Sequence, residues 1–243
     1  MAIQTKGFCK YCGKEYTKSG MLRHLAACKN RKDKLEEETA KRKCRYFQIT
    51  ISAKYDKDYW LIVETSENTT LKELDQFIRD IWVECCGHLS AFAINGTQYE
   101  SCPDTDSFWG PPSKNMNYRL KDVVDVGDTF GYEYDFGSTT ELVVSIHSER
   151  EGEKGKREIV ILSRNNPPTI ICSHCEKNKA DFVNPEGFYE GKPFWCEECL
   201  KKEDDEDLDS NYLLPVCNSP RMGVCGYEGS ELYPDQFVPD KES

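Results

Sequence analysis

Two pairs of cysteines, Cys172-x2-Cys175 and Cys196-x2-Cys199, stand 20 residues apart, and each can offer two thiolates from one tight turn. This is the spacing of a zinc ribbon, with a hairpin between its two knuckles. Four thiolates close a tetrahedron and leave no position for water, so the ion they would hold is structural rather than catalytic. A redox CxxC is the rival reading, but it calls for a single pair beside a βαβ pattern. His174, inside the first knuckle, reads as a turn residue. Toward the other end, Cys9-x2-Cys12-x11-His24-x3-Cys28 makes a second complete donor set. It fits a small ββα finger with Gly13 in the turn, Tyr16 and Leu22 as core residues, and Lys18, Ser19 and Arg23 facing outward. Two zinc ions are therefore expected, one on Cys9, Cys12, His24 and Cys28 and one on Cys172, Cys175, Cys196 and Cys199.

The chain has 13 cysteines, seven of them in these spacings, which leaves six without a donor set of their own. A secreted disulfide framework would need a short chain and an export signal. The first residues, MAIQTKGFCKYC, contain no apolar run of signal length, and no stretch reaches the roughly 18 apolar residues of a membrane span. A cytoplasmic protein with no membrane association is expected. Cys217 and Cys225 are too far apart for a knuckle; docking of the C-terminal segment onto the sheet is the favoured reading and a third metal site the minor one. Cys85 and Cys86 at a helix C-terminus, and His88 and His147, read as packing residues.

The formal net charge of −11 conceals an asymmetry. Residues 1–45 hold 13 Lys+Arg against 5 Asp+Glu, a balance of +8, whereas the remainder holds 19 against 38, a balance of −19. Only the N-terminal part would be drawn to polyanions. One finger with Ser and Gly at its contact positions is poor equipment for reading base sequence, so a protein-docking role stands beside nucleic-acid contact.

The elements that must carry these groups follow from periodicity. Phe130, Tyr132, Tyr134 and Phe136 alternate with polar residues, and after Gly137-Ser138 so do Thr140, Leu142, Val144 and Ile146, which predicts a hairpin at the centre of a sheet. Phe47 to Ala53 and Tyr59 to Val63 predict an earlier hairpin. Thr70 and Glu73 form a capping box ahead of a helix whose apolar stripe is Leu71, Leu74, Phe77, Ile78, Ile81, Trp82 and Cys85. A strand over Ala91 to Ile94 reaches an Asn95-Gly96 turn, the stretch after Tyr99 is irregular, residues 148–157 read as a charged loop, and Ile159 to Leu162 read as a last strand.

Hairpin, helix, strand, loop and strand in this order predict an α+β fold of β-grasp type, a ubiquitin-like roll with one main helix across a mixed sheet, flanked by two small zinc modules. Within it, FQITI, TTLKELDQFIRDIW, HLSAFAINGTQY and LKDVVDVGDTFGYEYDFG together resemble the plasmid pRiA4b ORF-3-like family, known as passenger proteins of mobile elements. The resemblance covers roughly Cys44 to Asn166, with Tyr132 to Gly137 its most specific piece. Typical members continue that strand into an Asp, a Trp and a His, where this chain has Ser138, Thr140 and Leu142. The resemblance implies the fold and no established reaction.

The expected organisation is a C2HC finger over 1–30, a basic helical linker over 31–45, the pRiA4b ORF-3-like domain over 46–166, the ribbon over 167–202, and an acidic hinge with a docked tail over 203–243. Asp135-Phe136-Gly137 matches the kinase metal-binding tripeptide by accident, since no Gly-rich loop with its Lys strand and no HRD loop accompany it, and there is no P-loop, GxSxG or HExxH. The sequence thus reads as a non-catalytic zinc-binding adaptor for a protein or nucleic acid, with no catalytic residue assigned. The alternative is an enzyme or toxin-like factor with a site near Asp135, His88 and the Trp109 loop.

Overall fold

The computed structural model describes residues 4–37, 43–103, 112–153, 159–203 and 212–240. It begins with β1 (Lys6–Phe8), β2 (Glu15–Thr17), α1 (Lys18–Ala27) and α2 (Lys29–Glu36). The main sheet follows with β3 (Lys43–Ala53), β4 (Trp60–Ser66), α3 (Leu71–Ile78) and a π-helical turn over Arg79–Val83. Next come β5 (Ser90–Ile94), β6 (Thr97–Glu100), β7 (Lys114–Asn115), α4 (Leu120–Val123), β8 (Thr129–Tyr134), β9 (Thr140–Glu153) and β10 (Val160–Arg164). The C-terminal part holds β11 (Phe182–Val183), α5 (Gly187–Glu190), β12 (Phe194–Trp195), α6 (Glu197–Leu200) and β13 (Leu214–Pro215).

Eight strands form one sheet in the order β10-β4-β3-β9-β8-β5-β6-β7. The expected hairpin of β8 and β9 occupies its middle, in antiparallel register from Thr129 opposite Ser145 to Tyr134 opposite Thr140. The sheet is mixed, as expected of the α+β class, but its parallel pairing is confined, among the described residues, to β6 with β7 at one edge. The neighbouring strands β3 and β9 run antiparallel and β10 lies at the edge beside β4, so the parallel pairing of first and last strands that marks such a roll is not displayed among the described residues.

One helix covers one face. The capping box forms as read: Thr70 Oγ1 accepts from the Glu73 amide at 3.2 Å, and the Glu73 carboxylate accepts from the Thr70 amide at 2.7 Å. Leu71, Leu74, Phe77, Ile78, Ile81 and Trp82 then face Phe47, Ile49, Ile51, Leu61, Val63, Tyr132, Leu142 and Val144 in a single core. Each such side chain contributes about 1.5–3 kcal/mol on burial, so this stripe dominates the fold's stability. The carboxylate of Asp75, also buried, is satisfied by Tyr132 Oη at 2.8 Å, Ser90 Oγ at 2.7 Å and Arg79 Nε at 2.9 Å.

The sheet is covered on its other face too. Along β4, Leu61 and Val63 enter the helix-side core while Trp60 and Ile62 join Leu162, Met21, Leu25, Cys9 and Cys28 in a second cluster beneath the N-terminal ββα unit. Alternation along one strand therefore feeds two cores. The Lys10 amide donates to the Leu162 carbonyl at 2.9 Å, and the Asn166 amide to the Lys6 carbonyl at 2.7 Å, tying the unit to β10. No helix among the described residues is long and apolar enough to cross a membrane.

Two expectations are corrected here. Residues 148–153 are not loop but the far half of β9, paired with Lys43–Gln48, which were expected as linker and strand start. Cross-strand charge accounts for it: Lys43 meets Glu151 at 3.3 Å, Arg45 meets Glu149 at 3.1 Å, and a register shift beside Gln48 and Ile49 bends the ladder. Residues 38–42 of the expected linker, 154–157 of the expected loop and the 204–209 part of the acidic run lie outside the described residues.

Candidate metal centres

Three groups bring four donor atoms within 4.8 Å of one another: Cys9, Cys12, His24 and Cys28; Cys172, Cys175, Cys196 and Cys199; and Cys85, Cys86, His88 and Cys225. The first two are the sets expected from spacing. The third is not expected as a set: Cys85, Cys86 and His88 read as packing residues, and Cys225 enters only the minor reading of a third metal site.

In the first group β1 and β2 carry the turn that bears Cys9 and Cys12, and α1 delivers His24 one turn ahead of Cys28. Gly13 takes φ 66°, the left-handed region that suits glycine, and its amide donates to the Cys9 carbonyl at 3.0 Å. His24 stacks on Tyr16 with ring centroids 4.4 Å apart, and its Nε2 lies 3.2 Å from Cys12 Sγ. Burial and, after it, Lys14 hold the His24 imidazole below its ordinary pKa, which favours the neutral form that binds metal. Burial pushes the Cys9 thiol up to about 12, so its thiolate needs a cation nearby. The core of the unit is Met21 and Leu25, both buried, rather than Tyr16 and Leu22, which are half-buried at its margin. Ser19 and Arg23 face outward as expected, whereas Lys18 is half-buried. The helix face that a free finger would use for burial is pressed against the sheet.

In the second group the amides of Asn178 and Lys177 hydrogen-bond the Cys175 sulfur and draw its pKa down to about 6. Cys175 and Cys196 sulfurs stand 3.9 Å apart. Between the knuckles, β11 and β12 pair antiparallel, and β13 adds a third strand from beyond the acidic run. His174 is a turn residue as expected: it stacks on Trp195 with centroids 3.3 Å apart, and its Nε2 lies 3.2 Å from the Lys192 carbonyl oxygen.

The third group sits where the π turn ends. Gly87, at φ 77°, turns the chain between Cys86 and His88. Cys225 arrives from the C-terminal segment, which does dock onto the core: Trp82 Nε1 donates to the Asn218 carbonyl at 3.1 Å and Ser219 Oγ to the Trp82 carbonyl at 2.6 Å. Cys217 is buried away from the group. Asp135 lies beside it, with Oδ2 3.5 Å from His88 Nε2, and is shut off by Arg221, whose Nη2 donates to the same carboxylate oxygen at 2.7 Å. Burial raises the Asp135 pKa, but Arg221 and the amides of Gly137 and Ser138 outweigh it and hold it at about 2. His147 is elsewhere, within 2.9 Å of Thr50 Oγ1. Trp109 lies outside the described residues.

Residues 45–170, more than half of the 243, match the plasmid pRiA4b ORF-3-like protein family. The chain belongs to this family. No curated protein matches the chain. Among solved structures, the crystal structure of a protein of unknown function, MM3350 from Methanosarcina mazei Go1, is similar over 50% of this chain and 69% of its own, at 18% identity and a TM-score of 0.41. The pRiA4b ORF-3-like match contains Cys85, Cys86, His88 and Asp135; the first two donor groups and Cys225 fall outside it.

Proposed function

We propose that this pRiA4b ORF-3-like protein is a non-catalytic, zinc-organised adaptor of the cytoplasm that holds a protein or nucleic-acid partner on its N-terminal finger. What carries the reading is that the finger and ribbon donor sets are complete and four-fold. With no position left for water, zinc in them braces structure and supplies no nucleophile. The nearest alternative, a reaction at Asp135 and His88, is disfavoured because Arg221 occupies the carboxylate from the buried side.

The finger's charge decides the partner's sign. Lys10 and Lys34 are engaged by Asp240 and Arg31 by Glu64, but Lys6, Lys14, Arg23, Lys29 and Lys32 remain exposed. A cleft of about 530 Å³ opens between α1, α2 and the sheet, with Arg23, Lys32, His147 and Arg150 on its walls beside Glu149 and Glu64, the latter paired with Arg150. An acidic protein or a phosphate backbone complements the exposed lysines and Arg23. The test is binding of the intact protein to short single and double strands of nucleic acid at two salt concentrations, with Lys14, Arg23 and Lys29 changed together to Glu in a comparison protein. Weak binding that falls steeply with salt and disappears in the variant is expected. Equal binding by both proteins overturns the finger as the binding surface.

A further inference from the structure

We propose that Cys85, Cys86, His88 and Cys225 form a third metal site, for zinc or a similarly thiophilic divalent ion, and that the ion latches the C-terminal segment onto the end of the main helix. The donors come from two places 139 residues apart in the chain, Cys86 and Cys225 being the outer pair in contact. Bonds of about 2.3 Å to sulfur and about 2.0 Å to nitrogen in a tetrahedron place sulfurs about 3.8 Å from each other and about 3.5 Å from the nitrogen. The sulfur of Cys86 lies 3.7 Å from those of Cys85 and Cys225, and His88 Nε2 lies 3.5 Å from Cys225 Sγ. The Cys86–His88 contact, at 2.9 Å, is the one short edge. The finger, with 3.2 Å between Cys12 and His24, shows the same kind of edge, and the ribbon sulfurs of Cys175 and Cys196 stand at 3.9 Å.

Chemistry narrows the ion. Three thiols and one imidazole suit zinc and its soft neighbours and are poor ligands for magnesium or calcium, which take oxygen. A disulfide within the group would need a sulfur separation of about 2.05 Å, far inside the spacing observed. Around the donors the protein supplies outer contacts: Arg221 Nη2 donates toward Cys85 Sγ at 3.5 Å, and Tyr134 meets the His88 ring edge-on with centroids 5.7 Å apart. Such contacts orient ligands.

The site differs from the other two in access. Cys86 and Cys225 are exposed, and Cys85 borders a cleft of about 320 Å³ with Arg79, Asp80, Glu84 and Gly229 on its rim. Chelators reach this ion first. Its binding joins Cys225 to the residues that follow the π turn, while Ser219 and Arg221, a few residues earlier, are already bonded to Trp82 and Asp135. The ion therefore completes a clamp whose other half is hydrogen bonds, and losing it loosens the stretch around Cys225, between the anchors at Arg221 and at Ser230, whose hydroxyl donates to the Asp80 carbonyl.

Metal content of the intact protein, purified with zinc and freed of loose ions by dialysis, is the test, with Cys225→Ser and Cys86→Ser measured alongside. Three zinc ions per chain in the parent and two in each variant are expected, and mild chelation of the parent should remove one ion ahead of the others. Cleavage of the C-terminal segment by added protease should be several-fold faster in both variants and in the chelated parent. Cys28→Ser and Cys196→Ser report separately on finger and ribbon, so failure there is distinguishable from failure here. Two ions in parent and variants alike, or a zinc-loaded parent whose mass shows two hydrogens lost to a disulfide at these cysteines, overturns the proposal. Two variants guard against one misfolding: if either folds and still holds three ions, the site is not as assigned.

Discussion

Arg221 and Asp135 are joined by a 2.7 Å ion pair in which the guanidinium is 0% exposed and the carboxylate side chain 8%. The same guanidinium donates to Thr140 Oγ1 and to the Ser138 carbonyl, each at 3.0 Å, so one residue of the C-terminal segment grips both ends of the turn that joins β8 to β9. Removing one partner of such a pair strands a buried charge. Arg221→Met should therefore cost about 3–5 kcal/mol, with Arg221→Met combined with Asp135→Asn recovering part of the loss. Denaturant unfolding of the two variants beside the parent checks it; Arg221→Met within about 1 kcal/mol of the parent would show that solvent enters the site freely.

A second buried carboxylate holds the finger to the sheet. Glu64 accepts from Arg31 at 2.8 Å and from Arg150 at 2.7 and 3.0 Å, and Arg31 also donates to the Leu25 carbonyl at the end of α1. Glu64→Gln keeps the shape and removes the charge between two arginines. A loss of about 3 kcal/mol is expected, together with weaker retention of the finger's ion. If metal retention at Cys9 and Cys28 is untouched while stability falls, the finger holds its fold without the sheet.

Much of this architecture was legible. Period-two alternation located β8 and β9, and Thr70 with Glu73 marked the helix start, because each signal is local. What escaped was two-sided. By alternation Tyr59 to Val63 predicts only half of a hairpin, yet it is apolar without a break; such a run is the mark of a strand covered on both faces, and Trp60 and Ile62 are what the finger rests on. Charged strands gave no apolar period, so the pairing of Lys43 and Arg45 with Glu151 and Glu149 was hidden until both segments were in place. For the finger and ribbon, donors close in sequence revealed the sets. Cys85, Cys86 and His88 are close as well, but their fourth donor is Cys225, and no spacing rule connects residues that only tertiary folding brings together.

Close backbone approach yields the next expectation. A Cβ on Gly7 would stand 2.1 Å from the Arg164 carbonyl oxygen and 2.8 Å from the Trp60 ring, a clash that backbone must relieve. Gly7→Ala should push β1 away from β10 and cost about 1–3 kcal/mol or more. Thermal unfolding and Trp60 fluorescence report it. An unshifted transition would mean that finger and sheet part without cost.

Acid should weaken one clasp before neutral groups feel it. Burial raises the Glu67 pKa, but Arg45, donating from Nε at 2.8 Å and from its amide at 3.4 Å, outweighs that and holds it below the ordinary 4.5. A depressed carboxylate stabilises the fold fully above its unfolded value and loses that contribution as pH falls through the folded one. The stability difference between the parent and Glu67→Gln should thus be constant above about pH 5 and shrink below pH 4.5. A difference that grows on acidification would reverse the sign and discard the assignment.

The ribbon supplies the last prediction. Its enclosed loop buries Val183 and Trp195 but leaves Phe182 and Phe194 half-buried and Phe188 exposed, too small a core to fold on apolar burial alone, so a metal bound there would provide its folding energy. Cys196→Ser should lose one ion and unfold the segment between Cys172 and Cys199. The ribbon is less separate than spacing suggested, because β13 pairs with β11, and a Cβ on Gly223 would lie within 3.1 Å of Val183 and 3.3 Å of Phe188. Unfolding the ribbon should therefore also expose Leu214 and loosen the chain as far as Val216. It should stop there, since Asn218 and Arg221 are fastened to the core through Trp82, Arg164 and Asp135. Hydrogen exchange should show lost protection over residues 172–199 and 214–216, with β3, β8 and β9 unchanged. Loss of protection in those central strands would make ribbon and sheet one cooperative unit, and retention of the ion by Cys196→Ser would remove the ribbon site itself.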